Sequence, residues 1–203
     1  VEAGFDAGKV RVIPNSVPAL PVSGTLASAA FASGAFVGYV GRLSEEKGWD
    51  LLVEVAERNP SIRFEVAGEG TLRSLPDNIR FRGFLEGEDL AAFYCEARFI
   101  VIPSRCYEGL PVVALEAMSA GKAVIAPDHG GFTELIGRGP EAAGCLFAPG
   151  EVAGAEAAIR TLWADEEQVR AMGLRAKEKV RTCYSAEQVS LQWEELFDEI
   201  TTV

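Results

Sequence analysis

The chain has 203 residues, enough to bury one sizeable core without disulfide staples, and its 48% apolar and 24% charged residues are ordinary for a globular domain. A net charge of −11 argues against nucleic acid or an anionic membrane as the main partner, so an anionic ligand must be held by a few placed cations and backbone N–H groups. Four cysteines with no Cys-x-x-Cys pair, and a single histidine, exclude a zinc pattern and suggest a reduced, cytoplasmic setting.

The first residues, Val1-Glu2-Ala3-Gly4-Phe5, lack signal-peptide character and read as a chain that begins mid-protein. Residues 21–35 are small and polar, the composition of a flexible loop. Residues 36–40 follow as a buried strand, then a helix over 50–58 with Leu51, Leu52, Val55 and Ala56 on its apolar face, stopped by Asn59-Pro60. Strands are predicted over 62–66, 79–81, 99–102 and 123–126, with a sixth over 145–147. Helices are predicted over 89–96, 110–120 and 132–136. From Glu151 the pattern is wholly helical, over 153–164, 166–182 and 186–200. No internal repeat is present, and no apolar run reaches the ~18–20 residues of a membrane helix.

Strands alternating with helices predict an α/β fold: a Rossmann-like parallel sheet of about six strands covered on both faces, followed by C-terminal helices. Such a sheet binds ligands beyond the carboxyl ends of its strands, which places the site in the loops at 41–48, 67–71, 83–86, 103–110 and 127–131.

The most informative segment runs from Glu108 through Gly109, Leu110 and Pro111 to Glu116. Pro111 suits a first helical turn, where a missing N–H is no loss. Gly109 admits close approach of a ligand to the backbone, and the helix N-terminus is an anion site. Glu116 sits among Leu110, Val113, Ala114, Ala117 and Met118 with no basic residue one turn away. A carboxylate so placed needs donors, which a ligand diol or an arginine from elsewhere in the fold would supply. Arg42 and Lys47 follow the first strand, where they either grip phosphate or stand as surface cations balancing Glu45 and Glu46. Gly68-x-Gly70 lacks the dinucleotide fingerprint and suits a tightly packed turn. His129 is expected as a polar loop residue, with the Gly130-Gly131 amides available to line a ligand. No Asp-x-Asp points to a metal, and Ser104 and Cys106 lack a nearby histidine for nucleophilic catalysis.

Taken in order, these segments resemble the C-terminal domain of retaining glycosyltransferases of the GT-B fold, group 1 or family 4 type. The matching pieces are Gly41-Arg42-Leu43 with Lys47-Gly48, Val66 to Gly70, Phe81-Arg82-Gly83-Phe84, Pro103-Ser104, Glu108 to Pro111, Glu116 to Gly121, Val124 to Ala126, and Gly130-Gly131 with Glu134. The resemblance implies a nucleotide diphosphate sugar, UDP- or GDP-linked, as ligand and no cofactor or metal. It implies that Arg42 and Lys47 grip the diphosphate and stabilise it as it leaves, which makes them catalytic, and that Glu108, counted with them as catalytic, contacts the transferred sugar. Gly109, Leu110 and Pro111 would reach phosphate or sugar through their backbone, Glu116 would hold the ribose diol, and Phe84 and Leu85 would border the base. It further implies residues 1–20 as an interdomain crossover, 21–184 as the nucleotide-sugar-binding domain, and 185–203 as a helix returning toward an absent N-terminal, acceptor-binding domain. Ser16 stands where the family usually has glycine. The chain alone is then expected to bind donor and transfer poorly, without inserting into a membrane or binding nucleic acid. A sugar-nucleotide-binding module or epimerase on the same fold is the alternative; a nicotinamide-dependent oxidoreductase would need Gly-x-Gly-x-x-Gly after the first strand, where Gly41-Arg42-Leu43 stands.

Overall fold

A computed structural model describes residue 8 and residues 10–17, 35–71 and 74–201. The loop expected over 21–35 lies, but for its last residue, outside the described residues. Six strands form one sheet: β1 (Val37–Val40), β2 (Phe64–Ala67), β3 (Ile79–Gly83), β4 (Phe99–Val101), β5 (Val124–Pro127) and β6 (Gly144–Phe147). Their spatial order is β3-β2-β1-β4-β5-β6, and every neighbouring pair is parallel. The helices are α1 (Trp49–Arg58), α2 (Gly87–Glu96), α3 (Val112–Ser119), α4 (Gly130–Ile136), α5 (Val152–Ala164), α6 (Glu166–Cys183) and α7 (Ala186–Thr201). This is the doubly wound order, in which the chain runs outward from β1 and then returns to its other side. The reversal opens a crevice between β1 and β4.

Both faces of the sheet are buried, as its short β-branched runs require. Phe36, Ile100, Ile102, Val124 and Ala126 face one cluster, with Phe93 and Tyr94 of α2, Leu115 and Met118 of α3 and Phe132 of α4. Their strand neighbours Val37, Tyr39, Phe99, Val101 and Ile125 face the other, with Leu51, Leu52 and Val55 of α1 and Ile159 and Leu162 of α5. The period of two divides each strand between the two cores. Helix α6 serves both, sending Ala176 and Val180 to the first and Val169 and Met172 to the second. Its N-terminus is capped by Asp165, whose side chain accepts from Gln168 N–H at 2.9 Å.

Boundaries shift for local reasons. Strand β2 begins at Phe64 because Ile62 is held in the turn after α1, its N–H donating to Asn59 O at 3.0 Å. Asn78 secures that turn, donating to Ala56, Asn59 and Ile62 carbonyls at 3.0, 3.0 and 2.9 Å. One charge is fully buried in the sheet: Glu65, paired with Arg63 and, at 2.6 Å, with Arg82. All four cysteines are free, and no described helix is long and apolar enough to cross a membrane.

Candidate active site

The loop leaving β1 makes a 3-10 turn at Glu45–Lys47 and closes on Gly48, which adopts a left-handed conformation at φ 72°. A Cβ on Gly48 would lie 1.9 Å from the Pro103 carbonyl oxygen, so only glycine lets this loop press against the one leaving β4. Arg105 joins the same two loops. Its N–H donates to Glu46 O at 2.9 Å, and its guanidinium donates to Glu45 O and to both carboxylate oxygens of Asp50, all at 2.7 Å. The bidentate pair holds Asp50 below the usual carboxylate range.

This juxtaposition brings Lys47 Nζ to 2.7 Å from Glu108 Oε1, with the two side chains only 27% and 23% exposed. Buried Ser104 donates from Oγ to the same oxygen at 3.0 Å, and its Oγ accepts the Cys106 N–H at 3.2 Å. From Glu108 the chain passes through Gly109 and Leu110 to the start of α3. Pro111 is the N-cap residue, at ψ 108°, so the helix begins two residues later than expected and Pro111 stands before its first turn instead of in it. Beyond Gly109 itself and its neighbours Glu108 and Leu110, no atom of the described residues lies within 4 Å of the position a Gly109 Cβ would take, leaving open space above that backbone. A cleft of about 270 Å³ lies here, lined among others by Gly41, Lys47, Glu108, Leu110, Pro111 and Val112.

Val112 and Val113 of α3 line that cleft, and Glu116 stands one turn further along the same helical face. Among the described residues its partner is not an arginine: Tyr94 Oη of α2 donates to Glu116 Oε2 at 2.8 Å. Burial pushes the Glu116 carboxyl upward, and the Tyr94 hydrogen bond partly offsets it. Burial also pushes the Tyr94 hydroxyl well up, with the Glu116 charge acting in the same direction.

The structure thus joins Lys47 to Glu108 and lines one cleft with them, Leu110 and Pro111. Arg42 is exposed and paired with Glu46, and its carbonyl accepts from Tyr39 Oη of the cleft at 2.6 Å. Phe84 is 62% exposed, whereas Leu85 packs on the core cluster that also carries Leu110 and Val113. The Gly131 amide is not available to a ligand. It donates to Glu108 O at 2.7 Å, and a Cβ there would meet Gly109 O at 2.0 Å. The Gly130-Gly131 pair therefore seats α4 beneath the Glu108 loop. Gly68 is a packing glycine as expected, since a Cβ would lie 1.9 Å from Gly41 O. His129 stacks on Tyr107 with ring centroids 5.8 Å apart, and its Nε2 lies 3.3 Å from Ser104 O. Sequence reasoning missed the supporting roles of Ser104, Arg105 and Tyr94. Tyr94 alone carried a signal, a tyrosine on an apolar helix face whose hydroxyl needs a partner.

Comparison with known proteins bears on the family and the fold. Residues 28–179 match the family model of glycosyl transferases group 1. The chain is 34% identical over 148 residues to sulfoquinovosyl transferase SQD2 of Arabidopsis thaliana, covering 70% of this chain and 29% of that protein. It is 31% identical over 166 residues to glycogen synthase of Mycobacterium tuberculosis, covering 75% and 39% respectively. Among solved structures, sucrose-phosphate synthase from Thermosynechococcus elongatus superposes with a TM-score of 0.79 at 27% identity, over 95% of this chain and 53% of that one. Anabaena HepE in complex with UDP shares the fold, with a TM-score of 0.83 at 22% identity, over 98% and 60%. The chain therefore spans about a third of the length of these curated relatives. The GT-B-type α/β sheet, the ordered motifs and the match over residues 28–179 agree: this chain belongs to the group 1 family of glycosyl transferases.

Proposed function

We propose that the chain is the donor-binding domain of a retaining glycosyltransferase and takes a nucleotide diphosphate sugar at the β1–β4 crevice. One observation carries this reading: Lys47 and Glu108 meet at 2.7 Å in a cleft beside the N-terminus of α3. A cation and a helix N-terminus suit a diphosphate, and a carboxylate suits sugar hydroxyls. An arriving diphosphate competes for Lys47 and frees Glu108 to turn to the sugar, while the Gly109–Pro111 backbone borders phosphate. Arg42 exchanges its exposed pairing with Glu46 for the diphosphate. Glu116 accepts from the ribose, and Phe84 and Leu85 border the base. HepE has been solved with UDP and with UDP-glucose, which favours a uridine donor over a guanosine one here.

In the transfer, the bond from the anomeric carbon to the diphosphate oxygen breaks, and an acceptor oxygen bonds that carbon from the same face. The acceptor proton passes to the departing diphosphate. Lys47 and Arg42 are catalytic because they stabilise charge that grows on that oxygen in the transition state, and no resident metal is invoked for this.

The same reading assigns residues 1–20 to a crossover and 185–203 to a helix that packs on an acceptor-binding domain. In support, Val17 N–H donates to Tyr184 O at 3.2 Å and Arg11 pairs with Glu199 at 2.7 Å, so the early segment runs beside α7. Helix α7 also leaves Leu191, Trp193, Phe197 and Ile200 exposed. The reading places the protein in the cytoplasm, where nucleotide sugars and free thiols coexist.

Calorimetry with UDP, GDP and their glucose and mannose conjugates tests the reading. Binding of uridine ligands is expected, with little transfer by this chain alone. A folded chain that binds none of them overturns the donor-site reading, and robust transfer to an acceptor by the isolated chain overturns the division of labour.

A further inference from the structure

We propose that Tyr94 is a positioning residue for ribose recognition: it holds Glu116 by one carboxylate oxygen and leaves the other to the ligand. This rests on Glu116 being the group that meets the ribose.

Tyr94 lies on α2 and is fully buried, its ring edge-on to Phe93 at a centroid distance of 6.4 Å. A phenol in such surroundings keeps its proton and donates it, and the acceptor is Glu116 Oε2 at 2.8 Å. Among the described residues no donor is seen on Oε1, and Glu116 is only partly buried. The end of α2 that carries Tyr94 is anchored in turn, since buried Lys122 donates from Nζ to Cys95 O at 2.7 Å. On the other side, Ser119 Oγ and the Ala120 N–H donate to the Glu116 carbonyl at 2.8 and 3.1 Å. Both backbone and carboxylate of Glu116 are therefore fixed from two helices. Without the tyrosine hydroxyl the carboxylate is free to rotate, and a ribose hydroxyl no longer meets an oxygen held in place.

The consequence is discrimination between ribose and deoxyribose. Removing one hydroxyl from the ligand leaves an acceptor underfilled, which corresponds to about tenfold in affinity. Titration calorimetry with UDP and GDP and their 2′-deoxy counterparts, on wild type, Tyr94→Phe and Glu116→Gln, reads this directly. Wild type is expected to prefer the ribonucleotide about tenfold, and Tyr94→Phe to reduce that preference to about threefold or less. Full preference in Tyr94→Phe, with loss in Glu116→Gln, overturns the role of Tyr94 and leaves Glu116 as the ribose ligand. Preference unchanged in Glu116→Gln, absent in wild type, or no binding at all overturns the ribose reading itself. Wild type labelled with 3-fluorotyrosine gives a readout that survives a misfolded variant. The Tyr94 resonance is expected to move on binding the ribonucleotide and less on binding its 2′-deoxy form, and equal shifts overturn the proposal.

Discussion

Glu108 and Glu116 stand eight positions apart and are held in opposite ways. Glu108 is on a loop, its Oε1 meeting an ammonium and a hydroxyl together, so its charge is answered inside the protein before any ligand arrives. Glu116 is on a helix in partly apolar surroundings, and its partner is a neutral phenol. Its charge is oriented but not neutralised, and burial pushes its carboxyl upward. The first carboxylate belongs to an exchangeable ion pair that a diphosphate can compete for. The second is a fixed acceptor that gains most from hydroxyl donors.

Four measurements would sharpen or break that contrast. The largest effect belongs to the anchor behind Glu116. Burial pushes the Lys122 ammonium from its ordinary 10.5 down to about 8, a nearby Cys95 thiol opposing the shift. In that window the unfolded chain binds the proton and the folded chain does not, so folding is favoured as pH rises. Between pH 8 and 10.5 wild type should gain up to about 3 kcal/mol over Lys122→Met in denaturant unfolding. A constant difference across that range would mean the ammonium is not penalised.

Next comes Lys47→Met, which removes a charge-assisted contact and should weaken nucleotide diphosphates roughly 30-fold. Affinity within about twofold of wild type would show that Lys47 serves only Glu108. Third, Glu116→Ala should weaken UDP and UDP-sugar alike, by about tenfold, whereas Glu108→Ala should weaken the sugar conjugate about fivefold and spare UDP. Identical profiles for the two variants would erase the distinction. Smallest is Arg42→Ala, whose exposed pair with Glu46 should cost less than about 0.5 kcal/mol of stability while diphosphate affinity still falls. Loss of stability without loss of affinity would make Arg42 a purely structural cation.

The fold was legible because strands such as Phe99 to Val101 are short, β-branched or aromatic, and bounded by turn residues. The crossing of strand order at β1 and β4 was legible only as loops at a common edge. The pairing of Lys47 with Glu108 rests on residues 61 apart in sequence, and nothing in either segment's periodicity encodes it. Arg105 drew no expectation from the sequence, because its role depends on backbone carbonyls of another loop. Gly131 illustrates the converse. A glycine beside a helix start suggests an amide free for a ligand, yet this amide is spent on Glu108 O and the missing side chain makes room for the Gly109 backbone. Sequence shows that a close approach occurs without showing what approaches.

The seam between the β1 and β4 loops, closed by Arg105, Asp50 and the bare backbone of Gly48, has a mechanical meaning. Backbone that is already hydrogen-bonded surrenders little freedom when a ligand arrives, so the entropy of ordering these loops was settled during folding. The two loops must also travel together, because neither can lift from the other without breaking the Arg105 fork and the contact at Pro103. On the proposed reading, a closure over the donor would have to hinge outside this seam and carry both loops with it.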